Sequence, residues 1–409
     1  MDKRTKNFMV VAFIAVMFVS EINTIASVIM ADLARLFPDA SMTAIQMVMQ
    51  FGMVGTFPVT LCIGFFTKKF RIKPMICLGL VMILVGGMMP FAFHSSLTQL
   101  YISAVIIGMG QGFLAPLVST LTLRHFENKP RERQIGLNAA SGAGGAAIIT
   151  VLAGFLALSG WLNIYFLYFF AIPALVFALV MLPLGEKPQD VTVVEEKTEK
   201  KEKVAVPMRA FVLAIFLIFM YIGYVAFPLN VGMLIEDEGI GDAAMTGWVI
   251  SINGIVSAGV GIIFPFIVRY VKSFIGFLTC VSGVIGMALV VFAYDMPLIF
   301  VSTIVLGVFF GTAVAGSVYI VGRMCTPEQY APALSIVLGL LYLGVILCPI
   351  VVNGITSLWG GSSSRDAFIT SAAIMACVAV AQLIFGIYVK KKYPEKTEGE
   401  NAVDGTGIA

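Results

Sequence analysis

Residues 8–30 read FMVVAFIAVMFVSEINTIASVIM. The run is long enough to cross the hydrocarbon core of a bilayer, which takes about 20 residues, yet it carries a carboxylate, Glu21, near its middle. A charge at the centre of a membrane helix costs about 2.5 to 3.5 kcal/mol on insertion scales, so such residues normally face a polar interior. Ser20, Asn23, Thr24 and Ser27 surround it. At 100° per residue these five side chains share one helix face roughly 160° wide, with Phe, Val, Met and Ile on the rest. The expectation is a helix with one wet and one apolar side.

The remainder of the chain has the same character. Of its 409 residues, 59% are hydrophobic and 12% charged, against about a quarter charged in an ordinary soluble domain, and the mean hydropathy is +0.98. Apolar runs of helical length exclude a β-barrel, which would show short alternating segments. Six runs fill the first half, at 8–30, 43–66, 74–93, 98–123, 135–158 and 162–183. Gly185 to Arg209 then reads GEKPQDVTVVEEKTEKKEKVAVPMR, a charged stretch without aromatics that cannot bury enough apolar surface to fold alone. Six more runs follow, at 209–230, 244–268, 273–293, 297–321, 331–353 and 367–389. The reading is an all-α membrane protein of twelve transmembrane helices in two six-helix halves: 1–184, a cytoplasmic charged linker at 185–208, 209–389, and a cytoplasmic polar tail at 390–409. With a cytoplasmic N-terminus, all but Arg35 and Arg365 of the 26 Lys and Arg residues lie inside, as the positive-inside rule asks. The start of the chain, with Lys3, Arg4 and Lys6, is read as a retained helix and not a cleaved signal. The acidic segment Glu236, Asp237, Glu238 and Asp242 then lies outside.

The two halves echo each other at an offset of about 200 residues. Gly108, Gly110 and Gly112 in the fourth run answer to Gly307 and Gly311 in the tenth, and Gly142, Gly144, Gly145 and Gly154 in the fifth to Gly339, Gly344 and Gly354 in the eleventh. Transporters built from two six-helix repeats show this kind of internal similarity. The six cysteines are scattered through or beside apolar runs without a C-x-x-C pair, so no disulfide framework or zinc site is expected. The two histidines, His94 and His125, sit at helix ends on opposite sides. Enzymatic function, which needs a nucleophile with a base or a metal cluster at one depth, is therefore not expected. No cofactor, metal or nucleic-acid partner is expected either.

On these features the chain resembles the major facilitator superfamily over essentially its whole length, nearest to the bacterial twelve-helix drug-efflux-like branch. That family commonly carries G-x-x-x-D-R/K-x-G-R/K-R/K between its second and third helices, and here the segment from Gly64 reads GFFTKKFRIK. Gly64, Lys69 and Lys73 match, whereas Lys68 stands at the usual Asp, Arg71 at the second Gly and Ile72 at a common basic position. The resemblance implies an inner gate loop at Gly64, Lys68, Lys69, Arg71 and Lys73; the residues alone read equally as a short positive loop. In the fourth helix the family often places an Arg four residues before its glycines, a position tied to proton coupling; here it is Ala104. Of the antiporters' G-P-x-x-G-G, the stretch with Thr150, Ala153 and Gly154 keeps only the last Gly. The Glu127–Gly136 segment ENKPRERQIG and Gly160-Trp161 also resemble family features.

The resemblance implies alternating access around a site near the midplane. Polar and aromatic residues at that depth are Gln46, Gln50, Gln111, Tyr221, Tyr224, Asn253, Thr312 and Tyr342, which join Glu21, Asn23 and Thr24 as the expected lining. Each amide or hydroxyl reads equally as interhelical glue. No Lys or Arg lies at the same depth, so carriage of multiply charged anions is disfavoured. A small neutral or cationic organic solute suits such a site better. An apolar surrounding favours a protonated carboxyl that releases its proton when water or a cationic substrate arrives, so Glu21 is the expected proton-coupling residue; the alternative is a neutral glutamic acid that only orients the first helix. The expected partners are a small-molecule substrate, protons and the lipid bilayer of a bacterial cytoplasmic membrane. A monomer is usual for the family. Export is the first reading; uptake by proton symport or facilitation, supported by the missing antiporter motif and helix-four Arg, is the alternative, and a non-transporting receptor or scaffold is a remote one.

Overall fold

The computed structural model describes residues 3–126, 128–183 and 207–392. Among them there are helices and no strands. Helix α1 (Lys3–Phe18), a 3-10 segment (Ile22–Ile29) and α2 (Met30–Leu36) make the first span. Helices α3 (Met42–Lys69), α4 (Ile72–Ala92), α5 (Leu97–His125) and α6 (Asn128–Ala157) follow, and a 3-10 segment (Trp161–Phe170) leads into α7 (Ala171–Met181) as the sixth span. The second half consists of α8 (Met208–Asp237), α9 (Ala243–Val271), α10 (Ile275–Val291), α11 (Met296–Met324), α12 (Pro327–Leu358) and α13 (Ser364–Lys392). Eleven continuous helical stretches among the described residues are long and apolar enough to cross a membrane, one of them 49 residues long, Ala243–Val291. At 1.5 Å per residue that stretch would far exceed a bilayer. It is divided at Lys272, where φ is +53°, into α9 and α10. The expected twelve spans are consistent with this arrangement, and the linker and tail at 185–208 and 390–409 fall almost wholly outside the described residues.

Helices run past the apolar windows at several ends. The seventh span continues from residue 230 to Asp237 and the eleventh from residue 353 to Leu358, because hydropathy sees only the hydrocarbon-depth part of a helix that carries on into the interface. The alternating directions collect charge at two ends. One is basic, with Lys69, Arg71, Arg124, Arg269, Arg323 and Lys390 to Lys392; the other is acidic, with Asp32, Glu236, Asp237, Glu238 and Asp242 beside Arg35 and Arg365.

Between lipid-embedded helices the hydrophobic effect supplies little attraction, so close approach of small residues carries the packing. The internal repeat shows in this packing with a spacing of 199 residues, from Gly108 to Gly307, Gly112 to Gly311 and Gly145 to Gly344. A Cβ on Gly108 would lie 1.8 Å from the Gly52 carbonyl oxygen, and one on Gly112 would lie 2.8 Å from that of Thr56, so α5 rides on α3. Gly307 and Gly311 press α11 onto α9 at Val256 and the Ser257 carbonyl in the same way. Gly145 meets the Phe18 carbonyl of the first span, and Gly344 meets Ile218 of the seventh. Each half thereby builds its own apolar core, one from Met9 to Leu182 with Met233 and Ala243, the other from Ala210 to Val389.

Gly108→Val should lose the α3–α5 contact and destabilise the protein by about 3 kcal/mol, whereas Gly144→Ala, whose added methyl meets nothing within 4 Å, should leave the melting temperature unchanged; thermal denaturation of both variants in detergent checks this.

Candidate functional site

The first span is not a continuous α-helix. Backbone bonds change to the i→i−3 pattern from Ser20 to Thr24, with Ser20 N to Met17 O, Ile22 N to Val19 O and Thr24 N to Glu21 O. The local side chains explain the change: the hydroxyls of Ser20, Thr24 and Ser27 donate to the carbonyls of Met17, Glu21 and Thr24, each three residues back, and such side-chain bonds compete with the α-helical ladder. Glu21 itself sits at φ −111°, ψ 22°, in the bridge region between helix and strand. The break corrects the expectation of a single polar helix face. Asn23 points to α3 and donates to the Met49 carbonyl, Thr24 meets Thr150 of α6 at 3.1 Å, and Ser27 bonds its own backbone. Gln111 donates to the Ser20 carbonyl at 2.9 Å, which satisfies a backbone group beside the break.

The Glu21 side chain is left exposed between buried neighbours Ser20 and Ile22. Among the described residues its carboxylate has neither a hydrogen-bond nor an ion-pair partner. It lies near enough to Tyr342 of α12, in the opposite half, for the two groups to interact electrostatically. Tyr342 packs against Phe57 of α3 at 5.6 Å between ring centroids. Behind it Tyr224 stacks between Phe309 and Phe310 at 5.1 and 5.0 Å, and Tyr221 meets Tyr224 and Phe310 edge-on. The Tyr224 hydroxyl donates to Asn253 Oδ1 at 2.6 Å, and the Asn253 amide donates to the Thr303 carbonyl.

From this level towards the acidic end the halves are joined. Gln46 of α3 donates to Asn230 of α8 at 2.8 Å; Asn353 of α12 donates to Gln46 at 2.9 Å and to Thr43 at 3.1 Å. Arg35 pairs with Glu236 at 2.9 Å. Between α6 and α9, Ser251 donates to the Ala147 carbonyl at 2.7 Å, and a Cβ on Gly247 would lie 2.7 Å from the Thr150 carbonyl. Towards the basic end the same helices part. Added methyls on Gly136 and Gly144 of α6, on Gly254, Gly259 and Gly261 of α9, on Gly64 of α3 and on Gly339 of α12 would meet nothing within 4 Å. The two halves form a V closed at the acidic end and open at the basic end, with Glu21 and Tyr342 near its apex.

Of the residues expected to line the site, Glu21, Thr24 and Tyr342 present surface, and Asn23, Gln46, Gln50, Gln111, Tyr221, Tyr224, Asn253 and Thr312 are buried. Gln46 belongs to the seam between the halves. Thr312 receives a bond from Thr279 inside the second half. Gln50, one turn below Gln46, is fully buried with neither amide atom hydrogen-bonded among the described residues. In the expected gate loop, Lys73 donates to the Leu179 and Leu182 carbonyls and so caps the end of α7 within its own half. Lys69 lies 5.9 Å from the Phe70 ring, Arg71 precedes α4 without a capping bond, Gly64 faces open space, and the Lys68 side chain is outside the described residues. Sequence reasoning missed Asn230 and Asn353, each the last residue of an apolar run; their identical place in the seventh and eleventh runs was the available signal.

The family model for the Major Facilitator Superfamily matches residues 8–294 and 269–406. No curated protein matches the chain by sequence. Among solved structures, a variant of the nucleoside transporter NupG superposes with a TM-score of 0.72 at 16% identity, covering 93% of this chain and 99% of that one. A D-xylose–proton symporter gives 0.67 at 14%, covering 96% and 98%. A bacterial homologue of the human lysosomal transporter Spinster, in its inward-facing and unoccupied conformation, gives 0.66 at 12%, covering 96% and 97%. At these identities the likeness concerns the fold.

Asn353→Ala removes two bonds across the seam, together worth about 1 kcal/mol, and should raise the population open at the acidic end roughly five- to tenfold. Electron-resonance distances between spin labels at Asp39 and Ser362, in a background with the six cysteines replaced, should show the longer component grow.

Proposed function

The chain belongs to the Major Facilitator Superfamily, a family of membrane transporters, and from that premise we propose that it exports a small neutral or cationic organic solute in exchange for protons, by alternating access. The observation that carries this reading is the Glu21 carboxylate, exposed near Tyr342 of the opposite half and without a hydrogen-bond or ion-pair partner among the described residues. An unpaired carboxylate in an apolar membrane interior is costly. Two ligands relieve that cost, a proton or a cation, and they compete for the same oxygens.

In the orientation proposed from the basic residues, the basic end is cytoplasmic and the V opens to the cytoplasm. A cationic solute entering there displaces the proton from Glu21, and its apolar or aromatic body lies against Tyr342 and Phe57, whose rings also attract cations. The halves then rock about the apex: the acidic end opens, the solute leaves outward, and an external proton returns to Glu21. The neutral carboxyl lets the empty carrier reset, since a ligand moves such an equilibrium only by its differential affinity for the two states. The whole pathway lies within one chain, which supports a monomer in the cytoplasmic membrane, with the linker at 185–208 and the tail at 390–409 on the cytoplasmic side. Lack of a fixed cation beside Glu21 argues against phosphate esters and dicarboxylates as cargo.

One observation favours a second reading, proton symport or facilitated uptake of an organic nutrient: Ala104 and the Pro-free stretch from Thr150 to Gly154 lack the residues associated with antiport. The two separate by direction. Comparing metabolites inside and outside cells with and without the protein should show the cargo accumulating outside when it is present. With that cargo in proteoliposomes, Glu21→Gln should lose at least about tenfold in pH-gradient-driven flux, of the size usual for linkage between two ligands, and keep gradient-free exchange; an unchanged dependence on the gradient would remove Glu21 from the mechanism.

A further inference from the structure

The second half contains a small polar cavity away from the seam, among α8, α10, α11 and α13. Its free volume is about 10 Å³, and Met220, Gly276, Thr279, Thr312, Ser317 and Gln382 contribute to its wall. The first half fills the corresponding places with hydrocarbon. At the spacing of 199 residues Thr279, Thr312 and Ser317 answer to Leu80, Phe113 and Val118, all buried in the apolar core of that half.

The hydroxyl hydrogens around the cavity are already committed. Thr279 Oγ1 lies 2.9 Å from the Ile275 carbonyl and 2.8 Å from Thr312 Oγ1; Thr312 donates to the Val308 carbonyl and Ser317 to the Ala313 carbonyl, each at 2.8 Å. What Thr279 and Ser317 still offer is lone pairs. Gln382 is 4% exposed, and its Nε2 reaches Met220 Sδ at 3.7 Å, whereas its Oε1 accepts no hydrogen bond among the described residues. Gly276 makes room for that oxygen, since a Cβ there would lie 2.4 Å from it. A buried amide oxygen without a donor is costly, and such groups in native proteins are met by a ligand or an ordered water.

We propose that this cavity binds one water molecule, which donates to Gln382 Oε1 and to the hydroxyl oxygens beside it and so ties α13 to α10 and α11. The size fits, because a single water needs about 10 to 15 Å³ of such space, whereas organic solutes occupy sites of several hundred Å³. The charge argues for a neutral occupant. Among the described residues no carboxylate lines the cavity, and the Arg323 guanidinium donates to Ser273 in its wall at 2.7 Å. A metal cation would therefore be an unpaired buried charge beside a like one. The second half is thus bridged by solvent where the first is packed dry. The site lies within one half, so it depends neither on Glu21 nor on the direction of transport.

Radiolytic footprinting tests it, because hydroxyl radicals formed from a bound water oxidise an adjoining methionine to its sulfoxide and leave methionines in dry packing unchanged. In the purified full chain Met220, 2% exposed, should be oxidised faster than Met287, 0% exposed in the same half. Gln382→Leu should abolish the difference; Thr279→Val provides the same reading if Gln382→Leu does not fold. Oxidation of Met220 no faster than that of Met287, or equally fast in the folded variant, would overturn the water site. So would a melting temperature that rises saturably with sodium chloride against choline chloride at equal ionic strength and loses that rise in the variant, which would place a metal cation in the cavity.

Discussion

In a bilayer every backbone amide and carbonyl must find its partner within the protein, and the break in the first span is where this chain meets that constraint most directly. Three hydroxyls turn the ladder from α-helical to 3-10 bonding between Met17 and Thr24. Gln111 from the fourth span then serves the Ser20 carbonyl, and Asn23 is drawn against α3. These bonds hold Glu21 at a non-helical φ and ψ and leave its side chain in the open space. A regular helix through residue 21 would need none of them and would place the carboxylate elsewhere around its axis.

The rest of the architecture is divided between what is tight and what is loose. Within each half, glycines bring backbones together at points where any Cβ would collide, as at Gly108 on Gly52 and Gly145 on Phe18, with counterparts 199 residues later. Such contacts have no room to slide, so each half is built to move as a body. Between the halves the polar bonds are few: amide to amide at Gln46, Asn230 and Asn353, guanidinium to carboxylate at Arg35 and Glu236; glycines close the gap there only where α6 meets the start of α9, at Gly247 and Gly154. Arg365, by contrast, works inside the second half, holding Glu238 and the carbonyls of Val291 and Ala293.

The fold was legible because it rests on length and hydropathy, which a run such as residues 74–93 states outright and which α4 repeats almost residue for residue. Glu21 was legible because an acid in an apolar run is conspicuous. Its surroundings were not, since a helical wheel assumes the regular helix that Ser20, Thr24 and Ser27 break. Nor could spacing say whether an amide at membrane depth faces water or another helix: Gln46 and Gln50 share a face of α3, yet one ties both halves together and the other has no hydrogen-bond partner among the described residues. Asn230 and Asn353 escaped notice for a related reason. They close apolar runs and look like ordinary helix ends, although both helices continue past them.

The order of groups along the seam bears on how easily the halves can exchange states. From the acidic end inward come the Arg35–Glu236 pair, the amide cluster, the unsatisfied Gln50, and then Glu21 facing Tyr342. Interhelical hydrogen bonds in membranes contribute roughly 0.6 kcal/mol each, so the cluster and the ion pair favour closure by a few kcal/mol at most. A buried amide without partners costs about 1 to 3 kcal/mol, and Gln50 carries that cost in this state. The two contributions are of similar size and opposite sign. Beside these polar contributions stands the close packing of α6 on α9, where Gly247 meets the Thr150 carbonyl and Gly154 the Ala243 carbonyl, so the seam is held by shape as well as by hydrogen bonds.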